Sequence, residues 1–396
     1  MAPGIRFKAK LPQVNATVIA MLKIPSKSAR PNTLLLLALP LIAFSCAPLD
    51  WKVDHQGILH KPMEGSWRAL EATAAGEAWL AGSTGEWVHV ILEDQSTTVH
   101  RMKDQGVMVG DSLVPLHFRG IAVTSDAVLG TAIASPAHIQ RAPILGNGTI
   151  KLPRQSTWVL SDSAAFMDAI LKLDEQTLIA MGDRIGTCLC VVRSEDGGRS
   201  WSQLPCANFL DRGVPQAMPG EAAFAASNGN LAAAGDTVWM LSGGGASRIY
   251  RSTDRGLNWK VFPTPLLQGG TMTGGFSMDF ADALHGIIWG GNWEDKTGQS
   301  RRGATTQDGG ETWELISEGT GPGYASSVRY RPGSGGRQLA LVGTPGGIDL
   351  SEDGGQSWRH FSDSAFYTAR FSPDGKALWL AGAGKFGRVD VQEFGW

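Results

Sequence analysis

The chain has 396 residues, with 35 Lys+Arg against 37 Asp+Glu, 18% charged residues, 51 glycines and 20 prolines. Six of the basic residues and none of the acidic ones fall within the first 46 positions, which leaves 29 basic against 37 acidic beyond them, a net charge near −8. An acidic body excludes nucleic acid as the partner, because phosphate requires a cationic surface, and abundant glycine with few charges points to many tight turns and few surface helices.

Arg6, Lys8, Lys10, Lys23, Lys27 and Arg30 precede an apolar run at 34–44 (LLLLALPLIAF). That run has the length of a signal peptide rather than of a membrane span. Residues 1–46 therefore read as an export signal, for which Met21 gives a more regular start than Met1. Ser45-Cys46 resembles the end of a bacterial lipobox, with Cys46 lipidated as the first mature residue, although Ala43 stands where that motif prefers Leu. Cleavage after Ala47 is the competing reading.

From residue 50 to 396 the sequence reads as one all-β repeat domain. Period-2 apolar runs recur throughout, as in GSWRALEATAAGEAWLAGSTGEWVHVIL (65–92) and HFRGIAVTSDAVLGTAIASPAHIQRA (117–142). They predict seven units of four antiparallel strands starting near 65, 116, 164, 220, 271, 323 and 364. The last unit has three evident strands, and residues 50–58 (DWKVDHQGI) are expected to supply its outer one, which closes a ring and removes exposed sheet edges. The expected fold is a seven-bladed β-propeller. Cys188 and Cys190 share a strand face, so either can bridge to Cys206 and leave the other as a buried thiol.

One phrase returns in units three to six: SEDGGRSW (194–201), STDRGLNW (252–259), TQDGGETW (306–313) and SEDGGQSW (351–358). The first hydroxyl and the aspartate can bond turn N–H groups, the glycine can take φ > 0, and the tryptophan opens the next strand. The residues in these roles are Ser194, Asp196, Gly198 and Trp201; Ser252, Asp254, Gly256 and Trp259; Thr306, Asp308, Gly310 and Trp313; and Ser351, Asp353, Gly355 and Trp358. One fixed carboxylate per turn is too few for a calcium loop, and the histidines show no zinc spacing. No metal or cofactor is expected. Gly382-x-Gly384-x-x-Gly387 matches a dinucleotide fingerprint in spacing only, since a strand and not a helix follows it.

By register, the innermost strands begin at Arg68, Arg119, Asp168, Glu221, Ser277, Ser326 and Tyr367. These seven are the candidate channel-mouth site, where bidentate arginines would hold a carboxylate-bearing ligand. The loop at 291–303 adds Trp293, Arg301 and Arg302, residue types favoured at interface hot spots.

The repeated phrase resembles the Asp-box, or bacterial neuraminidase repeat, which in that family turns the two outer strands of a propeller blade. SWRAL (66–70), AWLAGSTGEW (78–87), FRGIAV (118–123), FMDAI (166–170), PGEAAFAAS (219–227), GGFSMDF (274–280), HGIIWGG (285–291) and GYASSVRY (323–330) resemble exported bacterial propellers related to the photosystem II stability and assembly factor. This resemblance implies a monomeric, sialidase-like or WD40/YVTN-like scaffold in the bacterial envelope, periplasmic or at the surface, touching the membrane only through a lipid anchor. It implies a protein partner, envelope or secreted, with a carboxylate- or glycan-bearing ligand as a further possibility. The photosynthetic members carry a basic surface patch, whereas this body is acidic. An exo-sialidase-like glycoside hydrolase is the alternative, with Asp168, Glu221 and Tyr367 as its catalytic residues, but the Arg-Ile-Pro of that family is missing and Lys23-Ile24-Pro25 is the nearest string. Relatives labelled oxidoreductases have no redox site to match here.

Overall fold

The computed structural model describes residues 51–93, 96–133, 135–207, 213–344 and 346–396. The export segment and Cys46 lie outside the described residues. Strands dominate, and a 3-10 turn at Val391–Phe394 ends the chain.

Four-stranded antiparallel sheets follow one another along the sequence. Phe118–Val123, Ala127–Ala132, Ala137–Pro143 and Gln155–Leu160 form one, and Met167–Lys172, Leu178–Ile185, Cys188–Ser194 and Ser202–Gln203 the next. Leu231–Ala234 to Lys260–Pro263, Thr273–Phe280 to Glu314–Leu315, and Ser327–Tyr330 to Arg359–Ser362 repeat the pattern. The first strand of each sheet contacts the first strand of the sheet before and after it, and the cycle returns to the start through Thr368–Phe371 and Leu59–Ala74. Seam contacts show these inner strands running parallel: Ser277 Oγ accepts from Val328 N–H, and two residues on Asp279 Oδ2 accepts from Tyr330 N–H. Between the sheets lie the apolar clusters that form the core.

Closure uses a different segment from the one expected. Leu59–Ala74 belongs to two sheets: its first part, Leu59 to Ser66, pairs with the second half of Ala377–Asp390, and Trp67 to Ala74 pairs with Glu77–Gly82. Ala377–Asp390 itself doubles back, since Gly384 has φ 66° and Val391 N–H donates to the Lys376 carbonyl. Among the described residues of 50–58, only Lys52–Val53 pairs, and it lies outside Leu59 and His60. The reason is a turn: Asp54 Oδ1 accepts from Gln56 and Ile58 N–H, and Gly57 takes φ 77°. A second difference concerns the fourth unit, whose inner strand begins at Leu231 and not near 220. Glu221–Ala222 pairs instead with Gly243–Gly244 at the edge of the following sheet. Cys188 bridges Cys206, and Cys190 is the buried thiol, pushed up to about 12 by burial and then by Asp168.

Each repeated phrase forms the turn between the third and fourth strands of its sheet. In the third phrase Thr306 Oγ1 donates to Asp308 Oδ1 and accepts from Gly310 N–H, while Glu311 and Thr312 N–H and Thr312 Oγ1 close on the same carboxylate. Burial opposes the charge of Asp308, but these donors outweigh it and hold its carboxyl down to about 2. The turns also bind neighbouring sheets: Arg141, Arg193 and Arg251 donate to the carbonyls of Gly197, Arg255, and Asp308 and Gly309 respectively. The phrase glycine seats against the preceding sheet. A Cβ on Gly256, at φ 83°, would stand 2.2 Å from Ile179 Cδ1.

Gly256→Ala should therefore cost about 2 kcal/mol or more in denaturant unfolding, from strain plus overlap. Gly235→Ala, at φ 60° with no heavy atom within 4 Å of the added Cβ, should cost about 1 kcal/mol. Equal losses at the two sites would refute the seating argument.

Candidate functional site

The inner strands share a local irregularity that aims side chains into the channel. Pairing skips one residue between Trp67 and Ala69, Phe118 and Gly120, Met167 and Ala169, and Gly275 and Ser277. Such a bulge leaves one residue unpaired and redirects it. The bulged residues are Arg68, Arg119, Asp168 and Phe276. Ser326 and Tyr367 hold the matching place, each N–H donating to the carbonyl opposite the next residue in the strand.

Five of the seven expected residues thus share one level of the channel, and two do not. Ser277 is one step off register: its hydroxyl is buried in the seam to Val328, and Phe276 takes the channel position. Glu221 is elsewhere. Its carboxylate accepts from Ser242 Oγ (2.5 Å), Tyr250 Oη (3.0 Å), Arg248 Nη2 (2.5 Å) and Met218 N–H (2.7 Å). Burial, then Glu221, raises the Tyr250 phenol, and for Arg248 the Glu221 partnership outweighs burial and raises the guanidinium. This is a satisfied buried network.

The segment that displaces Glu221 crosses the channel. Arg68 Nη1 donates to the Ala226 carbonyl and Arg119 Nη1 to that of Ala225, both at 2.8 Å. Asn228, with φ 56°, accepts from Ile170 N–H and donates to the Ile121 carbonyl. Thr368 Oγ1 donates to the Ser227 carbonyl, Arg370 Nη2 to that of Asn228, and Gly229 O accepts from Met278 N–H. Ala223 N–H donates to Asp183. Residues 223–230 are therefore a plug bonded to strands from several sheets. Glycine is required at 229, where a Cβ would lie 2.5 Å from Ser277 Oγ.

Above the plug, Arg68 lies 3.7 Å over the Tyr367 ring, and Arg119 Nε donates to His117 Nε2 at 3.0 Å. Phe224 stacks on Phe276 at 4.0 Å, and Phe276 meets Tyr324 edge-on at 4.9 Å. Arg68, Arg119, His117, Phe224 and Tyr367 are half-exposed. Burial lowers Arg68, and burial followed by Arg68 lowers Arg119 to about 10 and helps Arg119 bring His117 to about 4. Asp168 is 0% exposed, and burial followed by Asp183 raises it well above the usual carboxylate range. The mouth is thus cationic and aromatic on an acidic body. Arginine over an aromatic face adds about 1 kcal/mol of attraction.

In the 291–303 loop, Trp293 is 43% exposed with Lys296 Nζ 4.7 Å over its ring. Arg302 is not available: it is 1% exposed and donates to the Gly298 and Thr320 carbonyls. Arg301 Nε donates to the Pro265 carbonyl. Sequence reading missed His117, Phe224, Tyr324 and the plug. His117 had a signal, since it lies two residues before Arg119 and points the same way in an extended strand.

No protein-family model matches the chain, and no curated protein matches it. Solved structures do. YCF48 bound to D1 peptide is 16% identical with a TM-score of 0.56, covering 87% of this chain and 98% of that one. U3-55K is 12% identical with a TM-score of 0.56, covering 84% and 98%. YCF48 from Cyanidioschyzon merolae is 13% identical with a TM-score of 0.51, covering 86% and 99%. At these identities the likeness is one of fold, that of a β-propeller, and it includes the assembly-factor propeller that the sequence resembles.

His117 gives a pH test. Its folded pKa, about 4, lies below the ordinary 6.5, so between those values the unfolded chain takes up a proton that the folded chain does not, and stability falls as pH drops through that window. In His117→Gln the loss of stability from pH 6.5 to 4 should be smaller than in the parent protein, as read by urea unfolding. An unchanged slope would remove His117 as a contributor.

Proposed function

We propose that this protein is an exported, lipid-anchored, seven-bladed propeller that binds another envelope or secreted protein and has no catalytic site. The observation that carries the reading is the mouth formed by Arg68, Arg119, His117, Phe224 and Tyr367. Two half-exposed guanidinium groups are fixed by the plug, so little side-chain entropy is lost when an acidic segment docks. The charge contrast with the acidic body steers such a segment to this end of the channel. The cyclic contacts of the inner strands support the blade count, and the phrase turns support the Asp-box assignment in blades three to six. The neighbour YCF48 has been seen with D1 peptide bound, which makes peptide capture at a propeller a sound precedent. The basic head and apolar run before Cys46 support export and anchoring, in a monomeric protein of the bacterial envelope.

The glycosidase alternative needs a glutamate to activate Tyr367, and the bonds of Glu221 to Arg248, Tyr250 and Ser242 count against it. Turnover of a chromogenic glycoside that disappears in Tyr367→Phe would restore that alternative.

The binding reading is tested by immobilising the purified protein, passing an envelope extract over it, and identifying retained proteins by mass spectrometry. Arg68→Gln with Arg119→Gln should lose the retained partner by about tenfold or more, as expected for removal of charged anchors worth about 2 kcal/mol. Lys260→Gln, on the exposed outer strand Lys260–Pro263, should retain it. Equal retention by the double variant, with the fold intact by circular dichroism, would reject the mouth as the docking site. The intact mass of the native protein should show acyl chains on Cys46.

A further inference from the structure

One surface element takes no part in the sheets of the ring. Val107–Val109 and Ser112–Val114 pair only with each other, across a two-residue turn that Gly110 opens at φ 60°. This hairpin lies in the connection from Ser96–Lys103, the outer strand of the first sheet, to Phe118–Val123, the inner strand of the second. Lys103 pairs with Glu86, Trp87 with Ala81, and Gly82 with Trp67. The hairpin therefore follows the mouth end of its sheet, and only Pro115 and Leu116 separate it from His117.

Its composition is unlike that of a solvated turn. Met108 is 62% and Leu113 51% exposed, Val109 and Val114 are exposed as well, and Asp111 in the turn is the single charged residue. Val107 anchors the base against the apolar cluster that holds Trp87 and Phe118. Met108 stands opposite Leu113, so the two side chains share one face as an apolar pair. A two-residue turn makes Val109 and Ser112 the hydrogen-bonded pair beside it, which aims the N–H and C=O of Met108 and of Leu113 outward at the two free edges. No other element bonds to them among the described residues. Exposed edges are normally blunted by lysine or proline, and these two strands contain neither. A two-stranded hairpin is marginal in water by itself, and a third strand is what stabilises it.

The neighbouring charge says what kind of strand fits. Leu113 precedes Arg119 by six residues, which spans at most about 20 Å of extended chain. One extended segment can therefore lie on the hairpin and still bring a carboxylate to the half-exposed guanidinium groups of Arg68 and Arg119. We propose that the hairpin receives an extended segment of the partner protein as a third strand. Uncharged, apolar residues at alternate positions of that segment cover Met108 and Leu113, and an aspartate or glutamate about six residues away reaches Arg119 and Arg68. Main-chain bonds supply affinity in this mode of recognition, and the alternate side chains and the acid supply specificity. The inference rests on the mouth as docking site and adds to it the form of the partner: a strand-forming stretch joined to an acidic one.

The test is a selection of random twelve-residue peptides, displayed on phage, against the immobilised full-length protein, followed by synthesis of the most enriched sequence. Enriched peptides should carry apolar residues at i and i+2 and an acidic residue within about six positions of them. By fluorescence anisotropy, Met108→Ser with Leu113→Ser should weaken the synthetic peptide about tenfold or more, and so should N-methylation of the peptide amides in its apolar stretch. Arg68→Gln with Arg119→Gln should weaken it by a similar factor. Both serine positions are exposed, so the variant keeps its fold. If the serine variant and the N-methylated peptide bind as well as the parent pair while the arginine variant does not, the third strand is rejected and the mouth stands. If none of the changes matters, both are rejected. Enrichment of acidic residues alone, or of no peptide, also overturns the proposal, as does binding to phosphatidylcholine vesicles that the serine variant loses, which would make the hairpin a lipid contact.

Discussion

The backbone of residues 223–230 is the constraint on which the rest depends. A chain crossing the centre of a ring of sheets carries peptide groups that cannot reach bulk water, and each needs a partner. The surrounding strands supply them: arginines at 68, 119 and 370 and a threonine at 368 meet carbonyls, and Asn228 meets backbone on both of its neighbours. The charged donors contribute more per bond than neutral ones, about 1.5–3 kcal/mol each. The same bonds fix where the guanidinium groups stand, so the plug organises the mouth on one side and a small cavity on the other, lined by Glu71, Asp279, Arg329 and Arg370.

This arrangement explains why a polar channel coexists with a rigid fold. Asp168 and Asp183 are drawn into low dielectric, and burial raises both carboxyls, which weakens their opposition to the arginine charge at the mouth. Beyond the plug the balance differs, with Glu71 and Asp279 facing Arg329 and Arg370. One end of the channel is therefore cationic, and the other sets two carboxylates against two arginines around a small cavity.

Much of this was legible in residues, and the failures are informative. Arg68, Arg119, Asp168 and Tyr367 were found because each follows an aromatic or Met at the start of an apolar run, and the bulge at that point keeps the spacing. Ser277 was off by one because GGFSMDF offers two candidates and only the pairing register separates them. Glu221 was misplaced because PGEAAFAAS has the alternation of a strand, while its alanines pack as a plug bonded from outside through side chains far away in sequence. Arg302 looked like an exposed anchor in a polar loop, yet it is buried and spent on the Gly298 carbonyl and on that of Thr320, beyond the next strand. Hydrogen bonds that join distant positions leave no local periodicity, so patterning cannot reveal them.

Leu59–Ala74 binds both the last sheet and the first, and this sets an order on synthesis. The partner of Leu59 is Arg388, so the first long strand of the domain waits, unpaired on one edge, until nearly the whole chain has emerged. The intervening sheets can assemble from contacts close in sequence, but the ring gains its cooperativity only at that last step. Loss of even the final dozen residues would strike the beginning of the domain as hard as its end.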